Sequence, residues 1–180
     1  MRPVLVERAL PDAAERAGAD ARVRELLGGP DPGPVGERLV LLHFRGRRTG
    51  RALTLPAGIH RLGGTLVVAT GSSWRHNFAV PGADGELTWR GSRVPARFTL
   101  VRDSARTARG YLELYERYGE EAPRRLGLRV TGTAAPDLDA FTRAVTDCGL
   151  SLVEIVPGPA APADRGDADA SDDTVNERTP

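Results

Sequence analysis

Val40-Leu41-Leu42-His43-Phe44-Arg45-Gly46-Arg47-Arg48-Thr49-Gly50-Arg51-Ala52-Leu53-Thr54-Leu55-Pro56 is an apolar run, a turn crowded with arginine, and a second apolar run. Gly46 and Gly50 accept backbone angles closed to other residues, so the chain reverses there easily. The flanking runs are rich in Val, Leu and Phe and short enough to be strands. The stretch is therefore expected to form a β-hairpin whose tip concentrates guanidinium. Arg presents planar, bidentate donors that match phosphate and carboxylate oxygens, so an anion site at the tip is the first functional reading. Two others stand beside it. Arginines in a turn are commonly just solvated. A nucleic-acid patch looks similar, although two Trp, three Tyr and four Phe leave few rings for stacking on bases.

Working outward, a chain of 180 residues fits one domain with extensions, burying about 70% of its unfolded surface. All 25 basic residues are arginine; Lys and Gln are absent, while Ala, Gly and Pro are abundant. Arginine as such therefore reflects a compositional bias, and only its clustering is informative. The net charge of +1 hides an asymmetry. Beyond Pro157 stand six acidic residues (Asp164, Asp167, Asp169, Asp172, Asp173 and Glu177) against two arginines, which leaves 23 basic and 18 acidic residues, or +5, for the body. That suits an anionic ligand but falls below what a dedicated nucleic-acid binder shows. Cys148 is the single cysteine, so no internal disulfide forms and a reducing cytoplasm is the expected location. Its apolar neighbours suggest an ordinary buried thiol. Glu7 and Arg8 interrupt the apolar residues after Val4 as no signal peptide would, and no stretch has the length of a membrane span.

Along the chain, a helix is expected from about Asp12, as cap, to Leu27, with Glu15 in capping-box spacing and Ala19, Val23, Leu26 and Leu27 on one face. Gly28-Gly29-Pro30-Asp31-Pro32-Gly33-Pro34 follows as a stiff linker. Residues 1–35 are thus read as helix plus linker. Strands are expected at about Glu37–Arg45, Ala52–Arg61, Thr65–Gly71, Gly85–Trp89 and Val94–Arg102. Short turns at Gly63-Gly64 and Arg90-Gly91-Ser92 join them as an antiparallel sheet, and closure into a barrel would remove its edges. Helices at Thr107–Gly119, with an extension over Glu120–Leu126, and at Asp137–Asp147 precede a last strand over Leu150–Val156. The fold class is mainly β with flanking helices (α+β), with the barrel domain over residues 36–157. The Pro-, Ala- and Asp-rich residues 158–180 read as a disordered acidic tail.

A second constellation is Gly71-Ser72-Ser73-Trp74-Arg75-His76-Asn77-Phe78. Small residues at a strand end let a ligand approach the backbone, and the free amides of a following helical turn attract anions. Trp74 could cover a flat ring or plug the barrel. Asn77 could bond a ligand or cap the turn. His43, His60 and His76 lack metal-pair spacing, so no metal site is expected. No Gly-x-Ser-x-Gly elbow, Walker loop or Rossmann fingerprint is present. Chemistry, if any, would come from a bound cofactor.

Gly46-Arg47-Arg48-Thr49-Gly50-Arg51 followed by Thr54 and Pro56 resembles the signature of the deazaflavin-dependent nitroreductase family. The Gly-rich strand end, then Trp74, Arg75, Asn77 and Phe78, resembles its second signature. The similarity is best from Gly36 to Arg102. It implies an antiparallel split β-barrel of the FMN-binding type and binding of the 8-hydroxy-5-deazaflavin coenzyme (coenzyme F-420), or FMN. By resemblance, Arg47, Arg48, Thr49, Gly50 and Arg51 would hold the phosphate and acidic tail. Thr54, Leu55 and Pro56 would line the ring with the strand end Ala69–Ser73, which includes Gly71, Ser72 and Ser73. Trp74 and Asn77 would close the site. The implied activity is hydride transfer to a small-molecule acceptor such as a quinone, nitro compound or activated alkene. Two departures stand out. The family often has a second basic residue and another Thr where this chain has Leu53 and Leu55, and its segment before the Asn is usually longer. They leave room for a non-catalytic carrier of the deazaflavin, FMN, haem or a lipid. Tyr111 and Tyr115, with Tyr118, are the only aromatic hydroxyls on the helix expected nearby, and they also suit its core. Split barrels often pair through a sheet face, so a homodimer is an open expectation.

Overall fold

The arginine-tipped hairpin forms, as one corner of a barrel. The computed structural model describes residues 3–10 and 13–158. In chain order the elements are β1 (Leu5–Arg8), α1 (Ala13–Gly28), β2 (Leu39–Arg45), β3 (Ala52–Leu62), β4 (Thr65–Thr70), β5 (Ala83–Trp89), β6 (Ser92–Leu100), α2 (Ser104–Tyr118), α3 (Ala122–Leu126), β7 (Leu128–Thr131), α4 (Leu138–Cys148) and β8 (Ser151–Pro157). Short 3-10 turns occupy Gly33–Glu37, Ser73–Phe78 and Gly119–Glu121.

Six strands close an antiparallel barrel in the order β2-β3-β4-β8-β6-β5. The last strand is inserted between β4 and β6, so the α2–α4 segment forms an excursion that splits the barrel sequence. Alternation fixes which side chains face inward. Val40, Leu42 and Phe44 of β2 meet Leu66 and Val68 of β4, Leu87 of β5, Phe98 of β6 and Val153 and Ile155 of β8. Phe78, fully buried, plugs this interior with its ring 4.7 Å from Phe44 and 5.0 Å from Phe98. A second core lies outside the barrel, where Val67 and Leu152 meet Tyr111 and Leu114 of α2 and Phe141 of α4. β4 is therefore covered on both faces, which accounts for its unbroken Leu66-Val67-Val68-Ala69 run. Asp103 and Asp137 cap α2 and α4, accepting from the backbone N–H of Arg106 at 3.0 Å and of Ala140 at 2.8 Å.

The mainly β architecture with flanking helices is as expected, with strand ends shifted by a few residues. Two strands escaped the sequence reading: β1 and β7 pair as a ribbon from Leu5↔Thr131 to Arg8↔Leu128. Each has four residues, too few for a period to show. In α1 the expected apolar face is only partly used. Leu27 is buried and Val23 half-buried, but Ala19 and Leu26 are exposed. Cys148 is half-buried rather than buried. The Asp12 cap and the 159–180 tail lie outside the described residues.

Candidate functional site

The site begins where two neighbouring strands part. β3 and β4 pair only from Leu62↔Thr65 to Ile59↔Val68. Beyond that, β3 stays on β2 down to Ala52, while β4 stays on β8 to Thr70↔Ser151. Among the described residues the facing edges, Ala52–Gly58 on one side and Ala69–Thr70 on the other, have no ladder partner across the slit. Inward-pointing Leu53, Leu55 and Ala57 pack on the barrel core yet stay only half-buried, as expected beside an open slit.

A cavity of about 570 Å³ opens at the top of this slit, with Gly58 and His60 on one wall and Ala69, Thr70, Gly71 and Ser72 on the other. Arg8 of β1, Arg38 after the first 3-10 turn, and Arg124 and Arg125 of α3 also line it, while no Asp or Glu is among the described lining residues. Glu121 stands 3.7 Å from Arg38 and 3.9 Å from Arg124, half-exposed contacts of little strength. Leu10, Val35, Leu39, Leu126 and Leu150 supply an apolar surface.

The small residues at the strand end have a steric reason. A Cβ on Gly71 would lie 2.3 Å from Cδ of Arg8, so only glycine lets that side chain cross the strand end. Arg8 Nη2 donates to Ser72 Oγ at 3.4 Å. Arg75 Nη1 donates to the carbonyls of Gly71 and Ser72, both at 2.9 Å. Burial, then the neighbouring charge of Arg8, pull the Arg75 pKa down. Two guanidiniums thus crowd one strand end, an arrangement that favours an anion between them.

His60 is 5% exposed. Its Nδ1 lies 2.8 Å from the Tyr118 hydroxyl, and its buried Nε2 has no partner among the described residues. Burial, then the charges of Arg125 and Arg117, lower its pKa to about 4. It is neutral at physiological pH and adds no charge to the cavity. The Arg125 guanidinium sits 3.6 Å from the centre of the Tyr118 ring, a cation–π contact that orders this wall.

The hairpin tip is a separate region. Gly50 has φ +67°, its N–H donates to the Gly46 carbonyl at 2.7 Å, and Gly46 donates to the Arg51 carbonyl at 2.8 Å. Thr49 Oγ1 accepts from the Arg51 N–H at 3.3 Å. Arg47, Arg48 and Arg51 are exposed and form no ion pair among the described residues. Asn77 joins this tip to the second constellation, accepting from the Arg47 N–H and donating to the Trp74 carbonyl, both at 2.8 Å. Trp74 meets Phe78 edge to face, with ring centroids 5.9 Å apart, and is half-buried. Ser73 is exposed and outside the cavity lining. Thr54 Oγ1 lies 3.1 Å from His43 Nδ1 on the outer face, and Pro56 is half-buried. The open edge from Gly58 to Ala52 spans about 20 Å at strand rise, so the cavity and the tip lie at opposite ends of it.

Neither tyrosine candidate reaches the cavity. Tyr111 is fully buried, its hydroxyl donates to the Ser151 carbonyl at 3.2 Å, and burial pushes its pKa up. Tyr115 packs on Phe141. Tyr118 is the one that meets a cavity residue. Arg8, Arg38, Arg124, Arg125 and His60 were not read as site residues. The Arg124-Arg125 pair was a visible signal; the others carried none.

By fold and site, the chain is an antiparallel barrel with flanking helices and a cationic, partly apolar cleft between parted strands. Among the described residues, no helix is long and apolar enough to cross a membrane, and no cluster of His, Cys, Asp or Glu suits a metal ion. No family model and no curated protein matches the chain. Among solved structures, it is similar to a protein from Bacteroides thetaiotaomicron named for 5-nitroimidazole antibiotic resistance, at 8% identity and TM-score 0.37, over 88% of this chain and 86% of that one. It is also similar to the FAD and haem binding protein from Mycobacterium smegmatis, at 18% identity and TM-score 0.32, over 84% and 89%. Both scores are too low to support an argument about chemistry.

Proposed function

We propose that this chain is an oxidoreductase that binds a flat, elongated, anionic redox coenzyme along the open edge of β3. Coenzyme F-420 is the first choice and FMN the alternative. The observation that carries the reading is the slit between β3 and β4, with a cavity at one end and an arginine tip at the other. The donor set fits such a guest: glycine backbone at Gly58 and Gly71, unpaired strand edges, an apolar floor, and no carboxylate among the described lining residues. The ring would lie between Gly58 and the Ala69–Ser72 strand end, over the half-buried Leu55 and Ala57. Arg47, Arg48, Thr49 and Arg51 would hold the phosphate and acidic tail, with Asn77 keeping the tip in place. Trp74 would flank the ring as part of the barrel mouth. Reduced coenzyme, when bound, would supply a hydride (two electrons and one hydrogen) to an electrophilic acceptor that takes a further proton and leaves reduced.

A charge-assisted hydrogen bond is worth about 1.5–3 kcal/mol net, and micromolar binding requires about 8 kcal/mol. Two or three tip contacts would supply much of that, and ring burial in the cavity the remainder. One observation favours a carrier instead: Tyr111 and Tyr115 are committed to the helical core, away from the cavity.

Parallel titration of the protein with coenzyme F-420, FMN and haem, followed by fluorescence or absorbance, tests the reading. Tight deazaflavin binding with acceptor-dependent oxidation of the reduced form is the expected result. Binding without oxidation would make the chain a carrier, and absence of deazaflavin and FMN binding would end the proposal.

A further inference from the structure

Resting on the coenzyme reading above, we infer that the cavity holds a second anion subsite, built by Arg8, Arg38, Arg124 and Arg125, and that the acceptor reduced there is a flat, conjugated organic acid. The coenzyme's phosphate and tail, held at the hairpin tip, lie about 20 Å along β3 from the cavity, which leaves these four guanidiniums uncommitted. They come from three separate segments, β1, the residue after the first 3-10 turn, and α3. An arginine-rich composition scatters guanidinium over a surface; it does not gather four of them around one cavity.

Among the described residues their mutual repulsion is countered by a single carboxylate, Glu121, at 3.7 and 3.9 Å from two of them. Arg8 has, among the described residues, only the Ser72 hydroxyl, at 3.4 Å, and it shares its strand end with Arg75. A bound carboxylate would relieve that repulsion and accept bidentate donors. Leu10, Val35, Leu39 and Leu126 would cover the ring that carries it. His60 stands in the same wall, neutral, with Nε2 unpartnered among the described residues. A neutral quinone would bury the apolar floor but gain nothing from the arginines, so the lining discriminates by charge.

The test uses the full chain and two probes of equal shape, 2-naphthoate and the neutral 2-naphthamide, titrated calorimetrically with and without saturating coenzyme. Naphthoate is expected to bind about tenfold more tightly than naphthamide, as one charged contact allows. The ratio should approach one in an R8Q/R124Q double variant, and fall partway in R124Q alone. Arg124 has a side chain 75% exposed, so its single variant keeps the fold. R47A/R48A should keep the ratio and bind the coenzyme about tenfold or more weakly. Equal affinity for the two probes, no binding of either, or a ratio lost at the tip and kept in the cavity variants would overturn the inference. If wild-type protein discriminates the probes but takes up neither deazaflavin nor FMN, the coenzyme reading fails while the arginine subsite stands.

Discussion

Replacing His60 with asparagine should remove a measurable part of the protein's acid sensitivity. His60 is held neutral because its surroundings penalise the imidazolium: burial first, then the charges of Arg125 and Arg117. Its pKa falls from 6.5 to about 4 on folding. Between those values the unfolded chain binds a proton that the folded chain does not. The stabilising contribution is therefore complete above about pH 6.5, shrinks as pH falls, and is gone below about pH 4. A shift of this size corresponds to about 3 kcal/mol, a large share of the ~5–15 kcal/mol by which domains are stable. Urea unfolding followed by Trp74 and Trp89 fluorescence, from about pH 7 to about pH 4, gives both stability curves. The asparagine side chain keeps an acceptor for the Tyr118 hydroxyl and does not titrate, so groups common to both proteins cancel in the difference. The wild type should lose about 3 kcal/mol more than H60N across the range. Parallel curves would mean that His60 charges freely in the folded state and that the wall it shares with Tyr118 and Arg125 is open to water.

Three more outcomes follow from the site. The R47A/R48A double variant should bind the deazaflavin about tenfold or more weakly and with a flatter salt dependence, since screening acts on exposed ion contacts; unchanged affinity in a salt series would remove the phosphate assignment. Gly71→Ala puts a Cβ 2.3 Å from Arg8 Cδ, so Arg8 must leave the strand end. Naphthoate affinity should then fall about tenfold, and a structure of the variant that keeps Arg8 in place would refute the steric argument. Asn77→Ala removes the two bonds that join the tip to the 73–78 turn; stability should drop by about 1–2 kcal/mol, and the Arg47 amide should exchange faster with solvent. An unchanged exchange rate would show the tip to be held by its own glycines alone.

The hairpin at residues 40–56, all six barrel strands and the helices α2 and α4 were legible without a structure, because each depends on neighbours in the chain. Alternation shows a half-buried strand, Gly46 and Gly50 permit the reversal, and apolar residues at helical spacing mark a helix wherever the fold goes next. That α2 starts at Ser104 under an Asp103 cap, ahead of the expected Thr107, came from the structure. The 46–51 and 71–78 segments were legible for the same reason, as local clusters of guanidinium, glycine and aromatic residues. Only the tertiary structure decided that β8 enters between β4 and β6, that β3 and β4 separate beyond Ile59↔Val68, and that four arginines surround the opening. Arg8, Arg38, Arg124 and Arg125 meet through pairings between distant segments, and His60 owes its lost charge to side chains brought over it by α2 and α3. Burial and repulsion depend on distance in space, and a linear order of residues does not contain that distance.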